Sequence, residues 1–176
     1  NITITADDGS NGKLTINAAS GSGKAVGIGN NIATGGKSGN VTIKGHADVT
    51  IIATSNPANS NSYGIYADKV VIEDHAKAAI TANASSNTGA DFVYGIFAKK
   101  NVTINTAGEI TVDASNAGTG RVYSTGVRSM NNLTLTRVGG MTVKWKDELG
   151  NQGFPLSPSR FKFDSNEYDT NVDKTN

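Results

Sequence analysis

The chain has 176 residues, a formal net charge of +1 and no cysteine. That length suits one domain, and with 6% aromatic and 18% charged residues it excludes both a large core of bulky side chains and a typical disordered segment. Zinc–thiolate, disulfide and thiol-nucleophile chemistry are excluded as well.

Two partner classes drop out next. Nucleic-acid binding needs Lys and Arg clustered on one face, and the basic pair Lys99-Lys100 reads as a solvated turn. No apolar run is long enough to span a membrane. No nucleic acid and no membrane insertion are therefore expected, and the oligomeric state is left open.

The chain opens on Asn1-Ile2-Thr3-Ile4, a strand-like alternation with no signal peptide before it, as in a mature or trimmed fragment. Leu14-Thr15-Ile16 and Val26-Gly27-Ile28 make a first, irregular coil, followed by a Gly-rich loop to Asn40. A three-part unit then recurs. It reads Val41-Thr42-Ile43, Val49-Thr50-Ile51, Gly64-Ile65-Tyr66-Ala67; then Val70-Val71-Ile72, Ala78-Ala79-Ile80, Gly95-Ile96-Phe97-Ala98; then Val102-Thr103-Ile104, Ile110-Thr111-Val112, Gly126-Val127-Arg128-Ser129. Leu133-Thr134-Leu135 and Met141-Thr142-Val143 begin another. Ile43 to Ile51, Ile72 to Ile80, Ile104 to Val112 and Leu135 to Val143 are each eight residues apart, and Gly64, Gly95 and Gly126 recur every 31.

Strands this short cannot bury an apolar side alone. Stacked at about 4.8 Å, equivalent strands share one core. The expected fold is all-β, a right-handed parallel β-helix (β-solenoid) with three short strands per roughly 30-residue coil. A β-sandwich does not predict the 31-residue recurrence. The β-helix is placed at 1–148, with a C-terminal cap and polar tail at 149–176. Trp145, Phe154, Phe161 and Phe163 are candidates for the cap.

Ile43, Ile51, Ile65, Ile72, Ile80, Ile96, Ile104, Val112, Val127, Leu135 and Val143 are expected inside. Thr42, Thr50, Thr103, Thr111, Thr134 and Thr142 are expected outside, in ranks that Val71 and Ala79 interrupt. Asn40, Asn101 and Asn132 precede the first strand of three coils and suit a turn ladder that Lys69 breaks. Segments 54–62, 83–93 and 114–125 absorb the length differences as loops.

The candidate ligand-binding residues follow the glycines. With Ile65, Ile96 and Val127 inside, Tyr66, Phe97 and Arg128 point out in register. Gly64, Gly95 and Gly126 beside them would leave a shallow depression. Exposed rings next to small residues suit sugar faces, and Arg128 suits the carboxylate of an acidic sugar. The competing reading has the loops 55–62 and 85–91 covering these side chains. Tyr63 and Tyr94 share the inward parity and read as core or coil-corner residues.

His46 and His75 match in adjacent coils, with Thr106 next. Lacking a third converging ligand, they read as a stacked turn pair rather than a metal site. Asp7-Asp8-Gly9 and Glu73-Asp74 read as solvated turns, and Asp48 aligns with Lys77 and Gly108. No catalytic residue, metal site or cofactor is expected, although a surface calcium ion remains compatible with the acidic clusters.

The units VGIGNNIATGGKSGNVTIKGHADVTI, YGIYADKVVIEDHAKAAITA and YGIFAKKNVTINTAGEITVDAS resemble the imperfect repeats of secreted bacterial β-helix proteins. These include carbohydrate-binding β-helix domains of the pectate-lyase-like superfold. The resemblance covers about residues 12–145. It implies a secreted or cell-surface protein that contacts a polysaccharide or cell-surface glycan, in binding or adhesion. The stacked calcium-binding acids of pectate lyases have no match here, so a polysaccharide lyase or hydrolase is an alternative, as is a structural spacer of a larger surface protein.

Overall fold

The computed structural model describes residues 1–8, 12–21, 23–29, 39–56, 61–84, 91–115, 122–136, 138–146, 154–163 and 170–175. All regular structure among them is β. Runs of Val, Ile and Thr with a period of two favour extended backbone, and each coil is assembled from three of them.

The first coil is β1 (Ile2–Ala6), β2 (Lys13–Ser20) and β3 (Ala25–Gly29). The next are β4 (Val41–Gly45), β5 (Asp48–Ser55) and β6 (Ser62–Ala67), then β7 (Val70–Asp74), β8 (Lys77–Ala84) and β9 (Asp91–Ala98). They are followed by β10 (Val102–Thr106), β11 (Glu109–Ala114) and the long β12 (Val122–Leu135). β13 (Gly140–Lys146), β14 (Phe154–Phe163) and β15 (Thr170–Thr175) close the order.

Every strand pairs in parallel with its equivalent one coil away, which makes the protein a parallel β-solenoid. One six-stranded sheet runs β15-β13-β11-β8-β5-β2 and forms the second face. The other is counted as one sheet because β12 belongs to two faces. Its Leu133–Leu135 end pairs with β10 on the first face, and its Val122–Ser129 portion pairs with β9 on the third. The irregularity between Ser129 and Asn132 marks where the strand turns the corner.

The expected ladders are present. Ile4, Ile43, Ile72, Ile104 and Leu135 lie one above another on the first face. Ile16, Ile51, Ile80, Val112 and Val143 do so on the second, and Ile28, Ile65, Ile96 and Val127 on the third. All eleven residues expected inside are buried in one cluster. The outward threonines are partly exposed and pair in register, as Thr42 does with Val71 and Thr50 with Ala79.

The sheets continue past residue 148. β14 pairs with β12 and β15 with β13, so the stretch expected as cap and polar tail supplies further strands in the same coil order. Trp145 is buried. The centres of the expected loops lie outside the described residues, and their flanks belong to β5, β6, β8, β9, β11 and β12.

The corners rest on side-chain and backbone bonds between coils. The Asn132 and Asn40 amides donate to the side-chain oxygens of Asn101 and Asn1, so the Asn ladder gains Asn1 as a member. Between the first and second faces, Gly45 and Asp74 take left-handed φ values of 67° and 68°. A Cβ on Gly45 would collide with the Ala6 carbonyl, whereas Asp tolerates this conformation. The Asp74 carboxylate accepts a hydrogen bond from the Gly45 amide at 3.1 Å.

Candidate functional site

The third face departs from simple alternation at its glycines. Along β6, Tyr63 and Tyr66 both join an outer aromatic cluster, while Ile65 between them belongs to the core. Regular pairing lapses at Gly27, Gly64 and Gly95, and a Cβ on Gly64 or Gly95 would run into the core side chains Ile80 or Val112 and the carbonyl of the next glycine. Two consecutive residues therefore face inward, and the first of them must be glycine because no space exists for a side chain.

This corrects the sequence expectation in two places. Gly64 and Gly95 face the core rather than flooring a depression, and Gly126 is buried with its carbonyl against the Cβ position of Gly95. Tyr63 and Tyr94 are buried, as expected, but in a separate aromatic cluster with Tyr66, against which Phe97 packs, rather than in the aliphatic core.

Two side-chain columns result. One runs Val26, Tyr63, Tyr94 and Thr125; the other runs Gly29, Tyr66, Phe97 and Arg128, in the register expected. Tyr66 and Phe97 stack with centroids 5.1 Å apart and planes within 4°, and Tyr63 stacks on Tyr94 at 5.4 Å. Between the columns the rings meet edge to face, as Tyr63–Tyr66 does at 5.2 Å and Tyr94–Phe97 at 5.3 Å. Both arrangements suit the ring quadrupole.

Tyr66 keeps only 8% of its surface exposed, while Phe97 and Arg128 are partly exposed. Phe92, stacked at 6.0 Å against Tyr94, is 37% exposed.

Polar groups surround the cluster. The Lys99 ammonium lies 5.4 Å from the Tyr66 centroid, and the Arg128 guanidinium 5.9 Å from that of Tyr94, both within cation–π range. The Asn61 amide donates to the Tyr63 hydroxyl at 3.1 Å and accepts from the Phe92 backbone amide at 3.3 Å. Burial, which disfavours the charged phenolate, pushes Tyr63 up to about 12, against the lowering effect of Asn61. Burial also raises Tyr94, partly offset by Arg128.

Sequence reasoning passed over Phe92, Asn61, Lys99 and the outward placement of Tyr63 and Tyr94. The signal was available in Tyr63-Gly64 and Tyr94-Gly95, which recur with the glycine interval.

The corner between the first and second faces gathers the remaining candidates. His46 and His75 stack as expected, at 4.7 Å with planes within 5°. His46 Nε2 lies 3.1 Å from Asp8 Oδ1. Thr106 is not the next member. It pairs with Asp74 and turns inward, its hydroxyl donating to the Ala76 carbonyl and accepting from the Gly108 amide. Ala107 takes the place after His75.

Likewise Lys77 aligns with Glu109 rather than Gly108, since Ala78 pairs with Ile110. Lys13, Asp48, Lys77 and Glu109 thus form a column of alternating sign. Like charges one coil apart are avoided, which favours this register at modest energetic value.

Among the described residues, no group of three or more His, Cys, Asp or Glu side chains converges to hold a metal ion, and no helix is long and apolar enough to cross a membrane. No protein-family model, curated protein or solved structure matches the chain.

Proposed function

We propose that this protein is a noncatalytic, secreted or cell-surface module that binds carbohydrate through its third face. The role is that of the carbohydrate-binding β-helix domains its repeats resemble. The observation that carries the reading is the aromatic double column with Arg128 and Lys99 set against its rings. A rigid parallel sheet holds these groups at a fixed spacing, so little side-chain entropy is lost on binding. Sugar C–H groups pack on the exposed Phe92 and on Phe97, and the two cations meet the carboxylates of an acidic polysaccharide. The near-complete burial of Tyr63, Tyr66 and Tyr94 makes them the support beneath that surface.

Affinity electrophoresis in gels containing pectin-type or neutral polysaccharide tests the proposal. A Phe92→Ala/Arg128→Ala variant, which spares the buried rings, is expected to lose about tenfold or more in affinity for the acidic polymer with an unchanged melting temperature. Retained binding would remove this face from consideration. The same burial favours a second reading, a structural spacer whose aromatic column only stiffens the stack. Absence of binding by the unaltered protein to any glycan tested selects that reading.

A further inference from the structure

Where a stacked side-chain ladder ends, the last ring keeps one face uncovered. The His46–His75 stack ends this way. His46 covers one face of His75 at 4.7 Å. The next position in the column is Ala107, whose amide hydrogen-bonds to the Asp74 carbonyl, as the His75 amide does to that of Gly45. The position after that is Gly139, whose amide bonds to the Thr106 carbonyl. The column therefore steps down from an exposed imidazole to a methyl group and then to no side chain at all.

Two hollows, of about 520 and 440 Å³, share Ala107 in their walls. The walls of the first include Lys44, Asp74, His75 and Asn105, those of the second Lys77 and Glu109. Ammonium and carboxylate groups therefore stand on both flanks of the step, with an amide on the first.

We infer that this step is a second carbohydrate subsite, in which a neutral pyranose ring lies over Ala107 against the open face of His75. The inference rests on the carbohydrate-binding reading but uses a different corner of the solenoid. An imidazole face packs against sugar C–H groups much as larger aromatic rings do. Hydroxyls at the rim of the sugar need both donors and acceptors, which Asn105, Lys77 and Glu109 supply. His46 holds the His75 ring in place and is itself tied to Asp8. A nucleobase would also stack on imidazole, but the carboxylates of Asp7, Asp8, Asp74 and Glu109 outnumber the ammonium groups of Lys44 and Lys77 in these walls, which disfavours its phosphate relative to a neutral hydroxylated ring.

The test follows the imidazole ring resonances of His75 by NMR during titration with cellohexaose and with mannohexaose, using the whole protein. At least one of the two is expected to shift His75 saturably. Affinity for that oligosaccharide is then measured by calorimetric titration on the unaltered protein and on two variants. His75→Ala removes the platform, and Ala107→Phe extends the stack by one ring and fills the step without touching the core. Each is expected to weaken that oligosaccharide at least fivefold, whereas Phe92→Ala/Arg128→Ala leaves it bound. If His75 stays unmoved while polysaccharide binding at the third face persists, the second subsite is wrong and the carbohydrate reading stands. If no glycan binds anywhere, both fall. A shift produced by adenosine monophosphate and by neither sugar would overturn the ligand class.

Discussion

On the second face, β5 alternates without a break: Val49, Ile51 and Ala53 are buried, and Thr50, Ile52 and Thr54 between them are partly exposed. On the third face every residue of β6 from Ser62 to Ala67 is buried. The first pattern is that of a pleated strand with one side in the core and the other toward solvent. The second arises because Gly64 lets two adjacent residues face inward and sends Tyr63 and Tyr66 outward on either side of them. The rings on that side then pack against one another. A single backbone exception, repeated at Gly95, thus turns an ordinary sheet surface into an aromatic-lined one.

The largest expected effect tests the part both faces share, the aliphatic interior. Ile72 is fully buried and stacked between Ile43 and Ile104. Ile72→Ala should cost about 2–5 kcal/mol, read as a lower urea midpoint at unchanged slope. A loss under about 1 kcal/mol would show that the ladder is not the main source of cohesion.

Next comes the exception itself. Gly95→Ala places a methyl group against Val112 and the Gly126 carbonyl and should cost about 1–3 kcal/mol. Gly21→Ala, where a Cβ meets nothing within 4 Å, is the control and should be near neutral. Equal effects of the two substitutions would refute the close packing at the third face.

The smallest effect concerns Tyr63. Tyr63→Phe removes the bond from Asn61 and should cost about 1 kcal/mol near neutral pH. The unfolded phenol titrates near 10 and the folded one only at about 12. Protonated Tyr63 therefore stabilises the fold fully below pH 10, and that contribution is lost as pH rises from 10 through 12. In Tyr63→Phe the part of the alkaline stability loss due to this group should disappear. A pH profile identical to that of the unaltered protein would show that Tyr63 is not buried as described.

The coil was readable from sequence because stacking demands it. A parallel ladder needs the same residue type at the same place in every coil, and eight- and 31-residue spacings carry that demand directly. The Asn ladder and the His46–His75 pair were readable for the same reason. The candidate site was less so. Parity counting from Ile65 aligned Tyr66, Phe97 and Arg128 in one column, but it did not show that Tyr66 is buried there, and it assigned Tyr63 and Tyr94 to the aliphatic core rather than to the aromatic cluster, because alternation assumes no bend between them.

Composition and spacing alone determined that this chain is a parallel β-solenoid with Ile, Val and Leu ladders within and threonines without. Tertiary structure alone decided what the exceptions do. Whether a glycine lines a surface hollow or yields space to Ile80 depends on a neighbouring face that is sixteen residues away in the chain and in contact in the fold. Whether His75 is followed by Thr106 or by Ala107 depends on how the corner turns, because one residue more or less there decides which side chain joins the column. Burial is a property of several strands at once, and no single strand's pattern contains it.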